Sequence, residues 1–148
     1  MKGFPDLPPL WLALFLVLNY GVARVVPGVP VGAATGGLSW VLIGAGLLLI
    51  GWSALWFWRR KTTIEPHHTP QALIVEGPYR LSRNPIYLAL AMILLGAVIG
   101  RGQPLSILLL PAFIYVLNRR FIIPEEQALR GAFGAEAEAY IASTRRWI

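Results

Sequence analysis

The sequence predicts an all-α integral membrane protein with about four transmembrane helices, a tight hairpin between the third and fourth spans, and a C-terminal amphipathic helix. Of its 148 residues, 56% are hydrophobic and only 14% are charged, whereas soluble domains carry about 25% charged residues. Several long segments contain no charge, and roughly 20 apolar residues suffice for a helix to cross a bilayer. At this length we expect one membrane domain over residues 1–148.

The first two spans are predicted over residues 7–26 and 38–58. Pro8 and Pro9 suit the first turn of the first helix, and Arg24 can extend its side chain from the far end to the interface. A loop rich in Pro and Gly separates the two spans, as expected for a helix break. The second span ends in a group of Trp residues, which is typical of the membrane interface.

Two further spans are predicted over residues 85–100 and 104–123. The third is short for a full crossing, so a tilted or re-entrant helix is also compatible with it. The compact turn between the two spans folds them into a hairpin. Pro124 marks either a kink or a new helix, and apolar residues at helical spacing predict a terminal helix over residues 124–148.

The basic residues predict the orientation. With four spans, eleven of the thirteen Lys and Arg residues share a side with both termini and the loop 59–84, and only Arg24 and Arg101 lie opposite. Positive charge marks the cytoplasmic side, so we expect both termini and that loop to be cytoplasmic. The net charge of +6 then reflects membrane topology, and no nucleic-acid partner is expected.

The composition excludes several kinds of chemistry. The sequence contains no Cys, so disulfides, thiolate metal sites and cysteine nucleophiles are excluded. Its two His residues, His67 and His68, are adjacent. A catalytic zinc site usually needs three well-placed protein ligands, and we therefore expect no metal centre.

Polar residues concentrate at the two ends of the predicted hairpin, at residues 76–87 and 124–126. The turn makes the two spans antiparallel, so these clusters should lie at similar depth, and polar groups beside hydrocarbon suggest a functional site. Simpler interpretations stay open. Arg80 and Arg83 could bind lipid phosphates, and Glu125 and Glu126 could favour a helix N-terminus. Since adjacent helical residues project about 100° apart, an undistorted helix does not aim both Glu residues at one ligand.

A set of motifs along the second half of the sequence occurs together in one family. These motifs are Thr63-Ile64-Glu65-Pro66, the run from Leu73 to Tyr87, Pro124-Glu125-Glu126, Leu129, Phe133-Gly134, Tyr140 and Arg145-Arg146-Trp147-Ile148. Through them the sequence resembles the isoprenylcysteine carboxyl methyltransferase family and its prokaryotic relatives over roughly residues 61–148. Phospholipid methyltransferases share a similar hairpin and Glu pair. Asn84 stands where eukaryotic members usually have His, and Ala89 where relatives often have Gly.

The resemblance implies methyl transfer from S-adenosylmethionine, with S-adenosylhomocysteine as product, to a lipophilic acceptor at the cytoplasmic membrane face of a prokaryotic inner membrane. The implied catalytic residues are Arg83, Tyr87, Glu126 and Arg145. The implied cofactor-binding residues are Gly77, Pro78, Tyr79, Arg83, Asn84, Pro85, Tyr87, Glu125 and Glu126.

The roles that follow are also expectations from the resemblance. Arg83 and Asn84 would hold polar edges of the cofactor, Tyr87 would face its sulfonium or adenine, and either Glu would bind its ribose or amino group. Carboxylate O-methylation of an isoprenylcysteine-like or other lipidic acid is expected first, with Arg80 or Arg145 orienting the acid. The alternatives are N-methylation of a lipid amine and a non-enzymatic scaffold that binds anionic lipid.

Overall fold

The computed structural model describes residues 6–60 and 73–148, except for the side chain of residue 60. The described residues form six α-helices, and their order is α1 Pro8–Val25, α2 Ala33–Arg60, α3 Pro85–Arg101, α4 Leu109–Leu117, α5 Ile123–Phe133 and α6 Ala135–Ser143. No strand occurs in these two described ranges. The predicted all-α class is therefore confirmed. Both His residues and the motif segment 63–66 lie outside the described residues.

Within the described ranges, three helical segments are long and apolar enough to cross a membrane by length and composition: Pro8–Val25, Ala33–Arg59 and Pro104–Phe133. The shorter apolar helix Pro85–Arg101 completes the set. The outer surfaces of these helices are apolar, with Trp40 74% exposed and Leu48 76% exposed. A soluble protein rarely exposes such a continuous apolar surface, whereas lipid chains would cover it.

The second helix begins earlier than the sequence predicted. We expected a loop up to residue 37, but α2 starts at Ala33, and the Gly36 N–H donates to Gly32 O at 2.9 Å. No proline lies between Pro30 and the end of α2, so every backbone N–H in that segment can donate to a helical hydrogen bond, and the two Ala residues at 33–34 favour helix.

The fourth span runs on past Pro124. A 3₁₀ turn at Pro104–Leu108 opens it, and a π-helical stretch at Asn118–Ile122 joins α4 to α5. Pro124 lacks an N–H, and in a regular helix its ring would clash with the carbonyl four residues earlier. The wider π turn relieves that clash, and the Ile123 N–H donates to Asn118 O. Of the two possibilities stated for Pro124, a kink or a new helix, no new helix begins there: the helical segment continues through the π-helical stretch to Phe133.

Where the sequence predicted one terminal helix over residues 124–148, the structure has two, α5 and α6. Gly134 has a positive φ of 49°, a conformation that favours glycine. It separates α5 from α6, and the chain leaves helical geometry after Ser143. The last five residues therefore form a separate tail.

The core lies between α1, α3 and α4. Phe15 and Phe113 pack with ring centroids 5.1 Å apart, and Leu94 and Leu117 are fully buried beside them. At the start of α1, the Asp6 carboxylate accepts hydrogen bonds from Trp11 Nε1 at 2.7 Å and Arg120 Nε at 3.1 Å.

Helices α2 and α3 approach closely through two glycines. A Cβ on Gly46 would lie 2.8 Å from Ala89 O, and a Cβ on Gly96 would lie 2.8 Å from Ser39 O. The Ser39 hydroxyl donates to Gly96 O at 2.7 Å. Small residues at such contacts are typical of membrane helix pairs.

We expect Gly96→Ala to lower the free energy of unfolding in detergent by about 1–3 kcal/mol, because the new methyl group overpacks the contact. Gly51→Ala is the matched control, since a Cβ there meets nothing within 4 Å. The control should stabilise the helix through its better propensity. Equal melting temperatures for both variants would contradict the close packing.

Candidate active site

The turn Gly77–Arg80 leads the chain into α3 and packs against the end of α2. Gly77 has φ of 60°, and a Cβ there would lie 2.0 Å from the Trp56 indole nitrogen, so no other residue fits without a shift. Tyr79 is buried and meets the Phe57 ring edge-on at 5.8 Å. The turn is thus held directly before the first residues of α3.

An ion cluster joins this entrance to α5. Glu126 is 4% exposed, and its Oε1 accepts hydrogen bonds from Arg83 Nη2 at 2.8 Å and Arg146 Nε at 2.9 Å. Arg146 Nη2 donates to Oε2 at 2.6 Å. Such charge-assisted, bidentate contacts are the strong class of hydrogen bond. The Glu126 carboxylate raises the pKa of the Arg146 guanidinium through these bonds.

The C-terminal tail closes over the same residues through its backbone. Arg83 Nη1 donates to the carbonyl of Thr144 in the tail and to that of Ile141 at the end of α6, and the Arg83 N–H donates to Arg145 O at 2.9 Å. Asn84 Nδ2 donates to Arg146 O at 2.9 Å. The Ser82 hydroxyl donates to the same oxygen at 3.2 Å. The tail therefore fixes the loop before α3 through its own backbone carbonyls, which accept hydrogen bonds from the loop.

The two adjacent Glu residues have different partners. Glu125 Oε1 accepts a hydrogen bond from the Tyr87 hydroxyl, whereas Glu126 binds the two Arg side chains. The Tyr87 ring lies 6.1 Å from the fully buried Phe121 ring, which belongs to the π-helical stretch. Two acidic groups therefore face one hairpin entrance in two directions, as the 100° spacing predicts.

Tyr140 on α6 supports the turn from the other side. Its hydroxyl donates to Tyr79 O at 2.8 Å, and burial raises the pKa of Tyr140 to about 12. Burial, with the neighbouring Tyr140, also raises the pKa of Tyr79. Both phenols are therefore neutral at physiological pH: the Tyr140 hydroxyl serves as a hydrogen-bond donor, and the Tyr79 ring serves in packing.

The structure brings together most of the residues that the sequence singled out. Arg83, Asn84 and Glu126 share the ion cluster, Tyr87 and Glu125 form the second pair, and the turn at Gly77, Pro78 and Tyr79 lies under Tyr140. Pro85 is buried in the first turn of α3.

Arg145 does not join the cluster. Its exposed guanidinium donates to Ile148 O at 3.3 Å, and its neighbour Arg146 binds Glu126 instead. Sequence reasoning thus missed Arg146 and also Tyr140. The adjacent Arg pair was visible in the sequence, but its direction depends on the extended tail.

One comparison with known proteins identifies the family. The sequence model for phospholipid methyltransferase matches residues 35–136, which is more than half of the chain and includes both acidic residues of the site. The chain belongs to the phospholipid methyltransferase family. No curated protein and no solved structure matches it. The expected relationship to membrane methyltransferases is confirmed at the level of this family.

The side chains of the site fit the cofactor that the resemblance implies. S-adenosylmethionine carries a carboxylate and an ammonium group beside a sulfonium, and this site places guanidinium donors next to carboxylate acceptors. Arg83 Nε is buried without a hydrogen-bond partner among the described residues. A buried donor of this kind costs free energy until an acceptor reaches it.

Proposed function

We propose that the protein is an S-adenosylmethionine-dependent methyltransferase that methylates a lipophilic acceptor at the cytoplasmic face of the membrane. The observation that carries the proposal is the meeting of Arg83, Glu126 and the Tyr87–Glu125 pair at one end of the hairpin, in a chain of the phospholipid methyltransferase family. Eleven of thirteen basic residues at that end of the predicted topology support a cytoplasmic site.

The residues of the site act by binding and orientation. Arg83 Nε would take the cofactor carboxylate, Asn84 would support a polar edge, and a carboxylate of the Glu pair would take the amino group or ribose. Tyr87 presents an aromatic face that can attract a cation. When bound, S-adenosylmethionine supplies the methyl group and leaves as S-adenosylhomocysteine.

Orientation can carry much of this reaction. Methyl transfer is an in-line displacement, and positioning two reactants can supply several kcal/mol of the barrier. No nucleophilic side chain is needed, which agrees with a sequence that contains no Cys. The apolar surfaces of the helices would let the acceptor's tail enter from the bilayer while its reactive group meets the ion cluster.

Two acceptor classes follow from different observations. The resemblance to the isoprenylcysteine carboxyl methyltransferase family supports O-methylation of a carboxylate on an isoprenylcysteine-like or other lipidic acid, although Asn84 departs from the His that eukaryotic members usually have. The family match favours N-methylation of a phospholipid amine as the second candidate. Incubation with a farnesylated cysteine and, separately, with phosphatidylethanolamine distinguishes them by mass spectrometry of the methylated product.

The first test is calorimetric titration of S-adenosylmethionine into detergent-purified protein. We expect saturable binding that weakens about tenfold or more in Arg83→Gln, because hydrogen bonds to charged groups are worth about 1.5–3 kcal/mol. Arg130→Gln is the matched control. Arg130 pairs with Glu138 at an exposed site, where ion pairs contribute little.

Unchanged binding in Arg83→Gln would contradict the assigned site. Failure of the folded wild-type protein to bind in detergent and in lipid nanodiscs would contradict the enzyme and support the scaffold alternative.

A further inference from the structure

The end of the bundle opposite the Arg83–Glu126 cluster carries two arginines around one aromatic ring. The Tyr20 ring centroid lies 5.8 Å from Arg24 Cζ and 5.0 Å from Arg101 Cζ. Arg24 follows Tyr20 by one turn of α1, whereas Arg101 ends α3. All three residues are exposed. Two guanidiniums from different helices therefore converge on one surface.

The described residues at this end of the protein include no Asp or Glu. The sequence has no Asp or Glu between residues 7 and 64 or between residues 77 and 124, and these segments hold α1, the connection to α2 and the hairpin turn. The ion pairs of the described residues involve neither Arg24 nor Arg101. A helix C-terminus carries roughly half a negative charge, so the helix ends offset only part of the two positive charges.

The length of α3 increases the need for a counter-ion. Its 17 residues span about 25 Å, less than the hydrocarbon thickness of about 30 Å. Arg101 therefore lies near the hydrocarbon boundary, where an unpaired charge is costly. Its long side chain can reach the headgroup layer, in which phosphate groups are the available anions.

The connections that follow the two arginines are fixed to each other. The Val29 N–H donates to Gly102 O at 2.7 Å, and Gly102 has φ of 60°. A Cβ on Gly28 would lie 3.0 Å from Gly102 O, so these backbones are in close contact. The arginines are thus presented by a rigid support.

We propose that Tyr20, Arg24 and Arg101 form a binding site for the phosphate group of an anionic phospholipid in the leaflet opposite the candidate active site. A guanidinium can donate two parallel hydrogen bonds to phosphate oxygens, and tyrosine is enriched at the headgroup level of the membrane. This site is separate from the proposed methyl transfer and needs neither its cofactor nor its acceptor.

The test is native mass spectrometry of the purified protein with phosphatidylglycerol or phosphatidylcholine at equal concentration. We expect preferential retention of phosphatidylglycerol. Each arginine should raise the affinity for phosphatidylglycerol about fivefold. The affinity of the double variant Arg24→Gln/Arg101→Gln should therefore be lower than that of the wild type on the order of 20-fold. Arg119→Gln is the matched control: its guanidinium also lies over a tyrosine one turn earlier, Tyr115, at 5.9 Å. The described residues place no second guanidinium over that ring.

Equal retention of the two lipids, or an equal loss in Arg119→Gln, would overturn the proposal. A further experiment uses soluble glycerol phosphate as the probe. If it binds with the same dependence on Arg24 and Arg101, the assignment of the phosphate to a lipid is overturned. Circular dichroism and gel filtration check the fold of each variant. Should the double variant not purify, Arg101→Gln alone carries the test, with an expected fivefold loss.

Discussion

Replacement of Glu126 by Ala is expected to lower the free energy of unfolding by about 3 kcal/mol and to abolish cofactor binding. Removing one partner of a buried ion pair typically costs about 3–5 kcal/mol, because it leaves an uncompensated buried charge. The Arg83 side chain is only 10% exposed and would lose its carboxylate partner. Arg146 is 39% exposed and can be rehydrated, so the lower end of that range applies.

Chemical denaturation in detergent measures the stability change, and calorimetry measures S-adenosylmethionine binding. Glu136→Ala serves as the control, since Glu136 is exposed on α6 and surface substitutions usually stay within about 0.5 kcal/mol. A double-mutant cycle between Glu126→Ala and Arg146→Ala isolates the pair energy. A loss below about 1 kcal/mol for Glu126→Ala would contradict the ion cluster as a structural centre.

Deletion of residues 144–148 is expected to weaken cofactor binding at least about 100-fold while the transmembrane helices persist. The deletion removes the Thr144, Arg145 and Arg146 carbonyls that accept from Arg83, Ser82 and Asn84. It also removes the Arg146 guanidinium. Each hydrogen bond to a charged group is worth about 1.5–3 kcal/mol, so the loop before α3 loses its fixed position.

Two variants separate the contribution of the tail's backbone carbonyls from that of the Arg146 guanidinium. Deletion of Ile148 alone removes an exposed side chain and leaves every one of those acceptors, so binding should stay close to wild type. Arg146→Ala in the full-length chain removes the guanidinium and keeps the carbonyls. Its affinity for the cofactor should lie between those of the two deletion variants. Wild-type binding by the five-residue deletion would show that the tail does not organise the site.

The sequence alone predicted the helical membrane class, the hairpin and the residues around which a site could form. These properties depend on local patterns: apolar runs of membrane length, a turn with two glycines at residues 100–103, and a proline suited to open α3. The family resemblance then drew attention to Arg83, Tyr87 and the Glu pair. The match over residues 35–136 supports that relationship independently.

Tertiary structure decided how those residues pair. Whether Arg145 or Arg146 faces Glu126 depends on the path of the tail after α6, which is fixed by carbonyl contacts with residues about 60 positions earlier in the chain. The π-helical stretch before Pro124 places Phe121 and Ile122 in the core beside α1, α3 and α4, a non-local packing effect that overrides the local tendency of proline to end a helix. Composition and spacing thus determined which groups are present, whereas long-range packing determined which of them meet.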